Sequence, residues 1–258
     1  MTAPNAPRTA RERARAELTR EIKEEARRQL ASVGADGLSL RAVARELGMV
    51  SSALYRYYPS RDDLLTALII DAYDALGSVA EAAIADSGPG VGAGAGLGAG
   101  LGGGRVRWVA ACQAIRGWAL AHPQEYALIY GSPVPGYRAP EATIGPAARV
   151  PLAFGGLLRA AFAAGELTVG GPAADPGLSG GLAAQAEALS TALAGAASAG
   201  PADAGVPPGV LVRAVIAWAQ LFGLISFELF GQFVGSFEPA DALFAYAAGQ
   251  LAAFVGLA

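Results

Sequence analysis

The stretch that most constrains the fold lies between residues 38 and 61, with the sequence LSLRAVARELGMVSSALYRYYPSR. Its first part carries apolar residues at the spacing of one helix face, at Leu40, Val43, Ala44 and Leu47. Gly48 ends this predicted helix, because glycine adopts a positive φ without steric cost. A second short helix is predicted at residues 50–57, before Pro59. Two short helices around such a turn predict a helix-turn-helix.

The second predicted helix has little core to fill. Its inward position is Leu54, with Val50 and Tyr58 as further candidates. The outward positions hold small or hydrogen-bonding side chains: Ser51, Ser52, Ala53, Tyr55, Arg56 and Tyr57. A helix exposed in this way can enter a major groove of DNA. The stretch therefore predicts a helix that reads nucleic acid.

The pattern L-S-x-R-x-V-A-x-x-L-G-x-x-x-x-x-L-Y-x-Y-Y-x-S-R-x-x-L-L resembles the DNA-binding domain of the TetR family of bacterial transcriptional repressors. The resemblance covers roughly residues 15–75 of this chain. The turn departs from the family pattern at Met49 and Val50, where Val-Ser is usual, and Ser52 stands where Gly is common. These positions lie near the predicted base-reading surface, so the operator sequence does not follow from the family.

Arg41 is predicted to contact a base, because a guanidinium pairs with O6 and N7 of guanine. The predicted neighbours of the base edges are small residues: Ser51, Ser52 and Ala53. The resemblance implies phosphate contacts, which set the register on DNA, for Ser39, Tyr55, Tyr57 and Arg61. Arg56 could contact either a base or a phosphate.

Charge is distributed unevenly, although the whole chain carries −3. Residues 1–70 hold 12 of the 19 basic and 9 of the 22 acidic residues, a net charge of +3, which leaves −6 for the remainder. A basic head on an acidic body is expected if only the head meets phosphates. A solvated charged helix explains the same pattern equally well.

Residues 1–12 are polar and lack a helical period, which predicts a disordered N-terminal extension. An arm that contacts a DNA groove is the alternative. An amphipathic helix predicted at 13–33 completes a DNA-binding domain at residues 13–60. Ser39 is placed to cap the second helix, and Ser60 is placed to cap a fourth. The remaining residues, 61–258, predict an all-α body for effector binding and dimerisation.

Glycine-rich stretches divide this body, and loops are predicted at 88–104, 165–181 and 195–209. Helices are predicted between and around them, at 106–121, 123–130, 146–164 and 182–194. Ten of the 17 residues in the first loop are glycine, so its GxGxxG match at 98–103 arises by chance. No strand precedes it, and a nucleotide site is not predicted.

The segment HPQEYALIYGSPVPGY at 122–137 resembles the start of the C-terminal ligand domain of one TetR subgroup, which often carries a Trp-x-x-x-His-Gly motif. The corresponding residues here are Trp218, Phe222 and Gly223. Phenylalanine replaces the histidine, so any polar role of that side chain is lost.

Two nearly all-apolar helices are predicted to close the chain, at 210–233 and 239–255. They are too apolar for each to leave one face in water, and pairing across a two-fold axis in a homodimer buries them. The alternative is that they only form the core of the monomer.

The family resemblance implies a small-molecule effector whose binding shifts the fourth helix and changes the spacing of the two heads. A predicted pocket draws on Trp108, Cys112, Ile115, Trp118, Tyr126, Ile129, Phe154 and Phe222. With no charged residue among them, the effector is predicted to be largely apolar. The alternative is that these residues are simply core.

Catalytic chemistry is not predicted. The chain has one histidine and one cysteine, and it shows no nucleophile–base arrangement, metal-ligand spacing or P-loop, so no enzyme activity, cofactor or metal is expected. Cys112 fits a buried apolar position and a reducing cytoplasm better than a redox sensor. The apolar runs at 214–227 and 242–258 are shorter than the ~20 residues of a membrane span, so no membrane is expected.

Two other functional classes remain open from the sequence. One is a small-molecule binding protein without operator recognition, and the other is an enzyme on a helical scaffold.

Overall fold

The computed structural model describes residues 9–87, 103–169, 178–196 and 205–257. These residues form helices and turns, with one isolated β-bridge between Leu167 and Leu257 and one 3-10 helix at Glu141–Thr143. The α-helices are α1 (Ala10–Val33), α2 (Leu40–Glu46), α3 (Ser51–Leu54), α4 (Arg61–Asp86), α5 (Gly103–Ala121), α6 (Pro123–Tyr130), α7 (Ile144–Ala163), α8 (Gly180–Ala196), α9 (Pro208–Leu229) and α10 (Asp241–Val255). The predicted all-α fold class is confirmed.

The chain divides into two compact units. The first runs up to Ala72 and also includes Gln124–Ile144, whereas the second comprises Tyr73–Pro123 and the chain from Gly145 onward. The structure therefore does not divide at the predicted boundary after residue 60. The beginning of α4 and nearly all of α6 cluster with the helix-turn-helix.

Helix α1 begins earlier than predicted because Thr9 caps it. The Thr9 hydroxyl accepts a hydrogen bond from the Glu12 amide at 3.3 Å, and the Glu12 carboxylate accepts one from the Thr9 amide at 2.8 Å. This capping box satisfies two amides that a helix start leaves unpaired. Thr9 is thus the cap and residues 10–12 belong to the helix, and the rest of the predicted disordered extension lies outside the described residues.

Polar side chains explain why parts of α4 and α6 belong to the first unit. Asp71 on α4 accepts a hydrogen bond from Arg27 on α1 at 2.8 Å. Arg27 also pairs with Glu125 on α6, with 3.0 Å between Nε and the carboxylate. The hydroxyl groups of Thr66 and Tyr137 lie 2.9 Å apart. These contacts tie the segment after α5 to the helices that carry the helix-turn-helix.

The second unit packs α10 against α5 and α9, and α9 against α8. Arg116 on α5 is only 7% exposed and joins three helices. It pairs with Glu228 on α9 at 2.5 and 2.7 Å and with Asp241 on α10 at 3.0 Å, and it lies over the Phe244 ring. These hydrogen bonds raise the pKa of Arg116 above its usual range, so the guanidinium stays charged.

Some residues at the edges of the predicted glycine-rich loops lie in helices. Gly103 and Gly104 begin α5, Gly180 begins α8, and α8 extends to Ala196. Residues 88–102, 170–177 and 197–204, which belong to the three predicted loops, lie outside the described residues. Helix propensity alone predicts that glycine breaks a helix, but packing of the rest of the helix overrides that cost.

Helix α9 ends at Leu229, four residues before the predicted end. Gly231 has a φ of +75°, the left-handed conformation in which helices commonly terminate. Helix α9 has 22 residues and contains an 18-residue window with a mean hydropathy of 1.9, so the predicted apolar run at 214–227 lies in a helix that is long and apolar enough to cross a membrane. A single helix of this kind is weak evidence for a span, because core helices of globular proteins share its length and composition.

Candidate nucleic-acid interface and ligand cavity

The helix-turn-helix is held together by local hydrogen bonds and a small core. The Ser39 hydroxyl accepts a hydrogen bond from the Ala42 amide at 3.4 Å, so Ser39 caps α2 as predicted. Gly48 has a φ of +65°, and the following amide, of Met49, donates to the Ala44 carbonyl at 2.8 Å. This turn ends α2 and directs the chain into α3. The buried apolar side chains of the motif are Leu40, Val43, Ala44, Leu54 and Tyr58.

The second helix of the motif is shorter than the predicted range of 50–57. Helix α3 spans Ser51–Leu54, and the chain continues as a turn through Tyr57. The Leu54 carbonyl accepts hydrogen bonds from the amides of both Tyr57 and Tyr58, which tightens this turn. Val50 is 70% exposed, so its predicted inward position was wrong. It precedes α3 in an extended conformation, which takes its side chain away from the core.

Most predicted DNA-contacting residues are accessible. The exposed ones are Arg41, Ser52, Tyr55 and Arg56. The partly buried ones are Ser39, Ser51, Ala53, Tyr57 and Arg61. Arg15 lies on α1, within the predicted first helix, and was not among the predicted DNA contacts, but its guanidinium carbon is 5.8 Å from the centre of the Tyr57 ring.

Arg61 has a structural role that the sequence did not indicate. Its Nη2 donates a hydrogen bond to the Ala35 carbonyl at 2.7 Å, and Nη1 lies 3.6 Å from the Asp62 carboxylate. The Arg61 Nε is buried and has no hydrogen-bond partner in the part of the chain that the structure describes. The side chain thus connects the start of α4 to the loop between α1 and α2.

An apolar cavity of about 290 Å³ lies within the second unit. It is bounded by side chains from α5, α7, α8 and α9: Trp108, Pro151, Phe154, Gly155, Leu158, Leu189, Leu211, Ala214, Val215, Trp218 and Leu221. Trp108 packs its ring edge against Phe154 with 4.7 Å between the centroids. The volume is just below the range typical of small-molecule sites, roughly 300–1,000 Å³.

Only Trp108 and Phe154 of the eight predicted pocket residues line this cavity. Tyr126 and Ile129 belong to the first unit, and the others, Cys112, Ile115, Trp118 and Phe222, lie elsewhere in the second unit. The cavity therefore does not support those six positions. The prediction favoured aromatic residues and missed the leucines of α8 and α9, whose segments gave no signal beyond helical apolar spacing.

The single cysteine is buried, and the single histidine packs against a tryptophan. Burial raises the pKa of the Cys112 thiol well above its usual range, so the thiol is neutral at physiological pH. The His122 ring stacks on Trp118, and its Nδ1 lies 3.0 Å from the Trp118 carbonyl. Within the described ranges, no group of three or more His, Cys, Asp and Glu residues is arranged to hold a metal ion.

Comparison with known proteins extends over both units. Residues 22–68 match the model of bacterial regulatory proteins of the tetR family, and residues 108–251 match that of the tetracyclin repressor-like C-terminal domain. HTH-type transcriptional regulators of Mycobacterium tuberculosis and Mycobacterium bovis are 38% identical over 231 residues, which cover 85% of this chain and 84% of each relative.

Two solved structures share the fold of this chain over nearly its whole length. A crystal structure of the regulatory protein SCO4313 superposes with a TM-score of 0.67 at 35% identity, covering 94% of this chain and 98% of that one. A protein of unknown function from Rhodococcus sp. RHA1 shares the fold, with a TM-score of 0.60 at 22% identity and 97% coverage of both chains. The chain therefore belongs to the TetR family of helix-turn-helix transcriptional regulators.

Proposed function

We propose that this regulator is a repressor that binds a near-palindromic DNA operator as a homodimer and is released by a small, largely apolar effector. The observation that carries the DNA-binding part is the arrangement of the helix-turn-helix. Arg41, Ser52 and Arg56 are exposed, whereas the apolar side chains of the same motif are buried. As a regulator of transcription, the protein acts in the cytoplasm, where the bacterial chromosome lies.

The side chains of the motif divide by chemistry into two groups. Arg41 offers a guanidinium for bidentate pairing with guanine, and Ser51, Ser52 and Ala53 are small enough to approach base edges. Ser39, Tyr55 and Tyr57 offer hydroxyl groups to phosphates, and Arg56 serves either purpose. In a homodimer, two such motifs enter successive major grooves about 34–36 Å apart, which requires an operator with two half-sites.

Release of DNA by an effector requires that effector binding and DNA binding be thermodynamically linked. The effector must bind the form that does not fit DNA more tightly than the form that does, by about 1–3 kcal/mol or more. The apolar cavity between α5, α7, α8 and α9 is the site we propose for it. Helix α4 runs from the first unit into the second, so its displacement is the proposed link between effector and head.

Selection of bound duplexes from random DNA by the purified protein, at a stated salt concentration, tests this proposal. The expected result is one palindromic site. Arg41→Ala should weaken binding to it by about 1–3 kcal/mol and relax the preference at one base pair of each half-site.

Arg20→Ala is the matched control, because it removes the same charge from an exposed position on α1. It should leave base preference unchanged. Binding that is weak, independent of sequence and strongly salt-dependent contradicts the proposal and favours a small-molecule binding protein without operator recognition.

A further inference from the structure

The lining of the cavity in the second unit carries very little polarity. Nine of its eleven residues are Leu, Val, Ala, Pro, Gly or Phe, whose side chains carry no polar atom. The exceptions are Trp108 and Trp218, each with one indole Nε1–H. Any directional recognition by these side chains must therefore come from two hydrogen-bond donors and from no acceptor.

Both indole donors lack a partner. Nε1 of Trp108 and Nε1 of Trp218 are buried, and neither finds an acceptor among the residues that the structure describes. Their rings are held by aromatic contacts, Trp108 against Phe154 at 4.7 Å and Trp218 against Phe222 at 5.6 Å. A buried donor without a partner is costly, and in native proteins such a group calls for a specific explanation.

We propose that the cavity binds a neutral, mostly apolar molecule that carries a hydrogen-bond-accepting oxygen, such as a ketone or ester, and no donor of its own. Trp108 or Trp218 donates its indole N–H to that oxygen. Both nitrogens are covered in this structure, so the proposed bond requires that the indole ring turn towards the ligand. This inference rests on the proposed role of the second unit in binding the effector, and it specifies the chemistry of that ligand.

The same lining selects against two other classes of compound. A carboxylate or an ammonium group would lose its hydration, and no lining residue offers an opposite charge. An alcohol can accept a bond from an indole, but its own O–H finds no side-chain acceptor in the lining. The ketone is therefore preferred over the alcohol, the carboxylate and the hydrocarbon of similar shape.

Calorimetric titration of the full-length protein, without DNA, tests this preference. Four probes of similar size are compared: propiophenone, the alcohol formed by its reduction, propylbenzene and phenylacetate. We expect propiophenone to bind about three- to tenfold more tightly than propylbenzene, the typical value of one net hydrogen bond. Phenylacetate should bind most weakly at neutral pH.

Trp108→Phe and Trp218→Phe identify the donor. At least one of them should abolish the preference for propiophenone while propylbenzene still binds, because phenylalanine keeps an apolar ring and removes the N–H. Trp118→Phe is the matched control: Trp118 does not line the cavity, and its replacement should leave the preference intact.

Three results overturn the inference: no probe binds, the alcohol or the carboxylate binds as tightly as the ketone, or the preference survives in both cavity variants. Failure of the proposed function is a separate result. If propiophenone binds with the expected preference and the operator affinity does not change, the cavity has the inferred chemistry but does not control DNA release.

Discussion

At the scale of single residues, several charged and reactive side chains stabilise the fold and do not form part of a binding or redox site. Arg61 holds the Ala35 carbonyl, and Arg116 joins three helices through Glu228 and Asp241. Cys112 is fully buried. Residue type alone does not separate these roles from DNA contact or redox sensing, because the deciding factor in each case is the neighbour across the fold.

Arg61→Ala should lower the free energy of unfolding by about 1–2 kcal/mol, because it removes a charge-assisted hydrogen bond from a partly exposed side chain. Urea denaturation measures the effect. Arg56→Ala is the control and should change stability by less than about 0.5 kcal/mol, since Arg56 is exposed. Unchanged stability of the Arg61 variant together with weaker DNA binding would instead assign Arg61 to a phosphate.

The Cys112 thiol should be inert in the folded protein. Its pKa is raised by burial, so the reactive thiolate is absent at about pH 8, where an unperturbed thiol is partly ionised. A colorimetric disulfide reagent should label no thiol in the native protein and one thiol per chain in guanidinium chloride. Rapid labelling of the native protein would restore the redox-sensor interpretation.

At the scale of elements, the helix-turn-helix depends on one backbone conformation between α2 and α3. Gly48 has a φ of +65°, and a Cβ built there meets no atom within 4 Å. The requirement at this position is therefore conformational rather than steric. It follows from the turn that reverses the chain after α2.

Gly48→Ala should destabilise the protein by about 1–2 kcal/mol, the cost of a left-handed conformation for a residue with a Cβ. Gly117→Ala is the matched control, because a Cβ at this exposed position in α5 also meets no atom within 4 Å. It should stabilise the protein by about 0.5–1 kcal/mol, since alanine is the better helix former. Thermal unfolding measures the stability of both variants. Equal changes of the same sign would contradict a conformational requirement for glycine at position 48.

At the scale of the whole molecule, the two C-terminal helices leave apolar side chains in water in the single chain. Those on α9 and α10 that are largely exposed are Val215, Ile216, Phe227, Tyr246 and Phe254. Exposed apolar surface on adjacent helices is typical of an interface between subunits. This pattern supports the proposed homodimer through α9 and α10.

Phe254→Asp should convert the dimer into a monomer, because it places a charge within the proposed interface. Leu152→Asp is the matched control on α7, since Leu152 is 43% and Phe254 44% exposed. Sedimentation velocity at several concentrations measures the association, and circular dichroism verifies that both variants fold. A wild-type chain that sediments as a monomer, or a dimer that persists in the Phe254 variant, contradicts the proposed interface.

The sequence by itself determined the helix-turn-helix, the capping of α2 and α4 by Ser39 and Ser60, and the all-α class. These features depend on neighbours within a few residues: helical spacing of apolar side chains, a glycine at the turn and a hydroxyl at each helix start. The same local logic predicted the buried apolar position of Cys112 on α5.

Only the tertiary structure decided which side chains meet across the chain. Arg27 reaches Glu125, Thr66 meets Tyr137, and these contacts place residues after α5 in the same unit as the helix-turn-helix. The cavity draws on four helices, and most of its lining consists of leucines and small residues that look like ordinary core in sequence. The physical reason is that helical periodicity states which face of a helix is apolar, whereas packing alone decides which other face it meets and where a space remains between them.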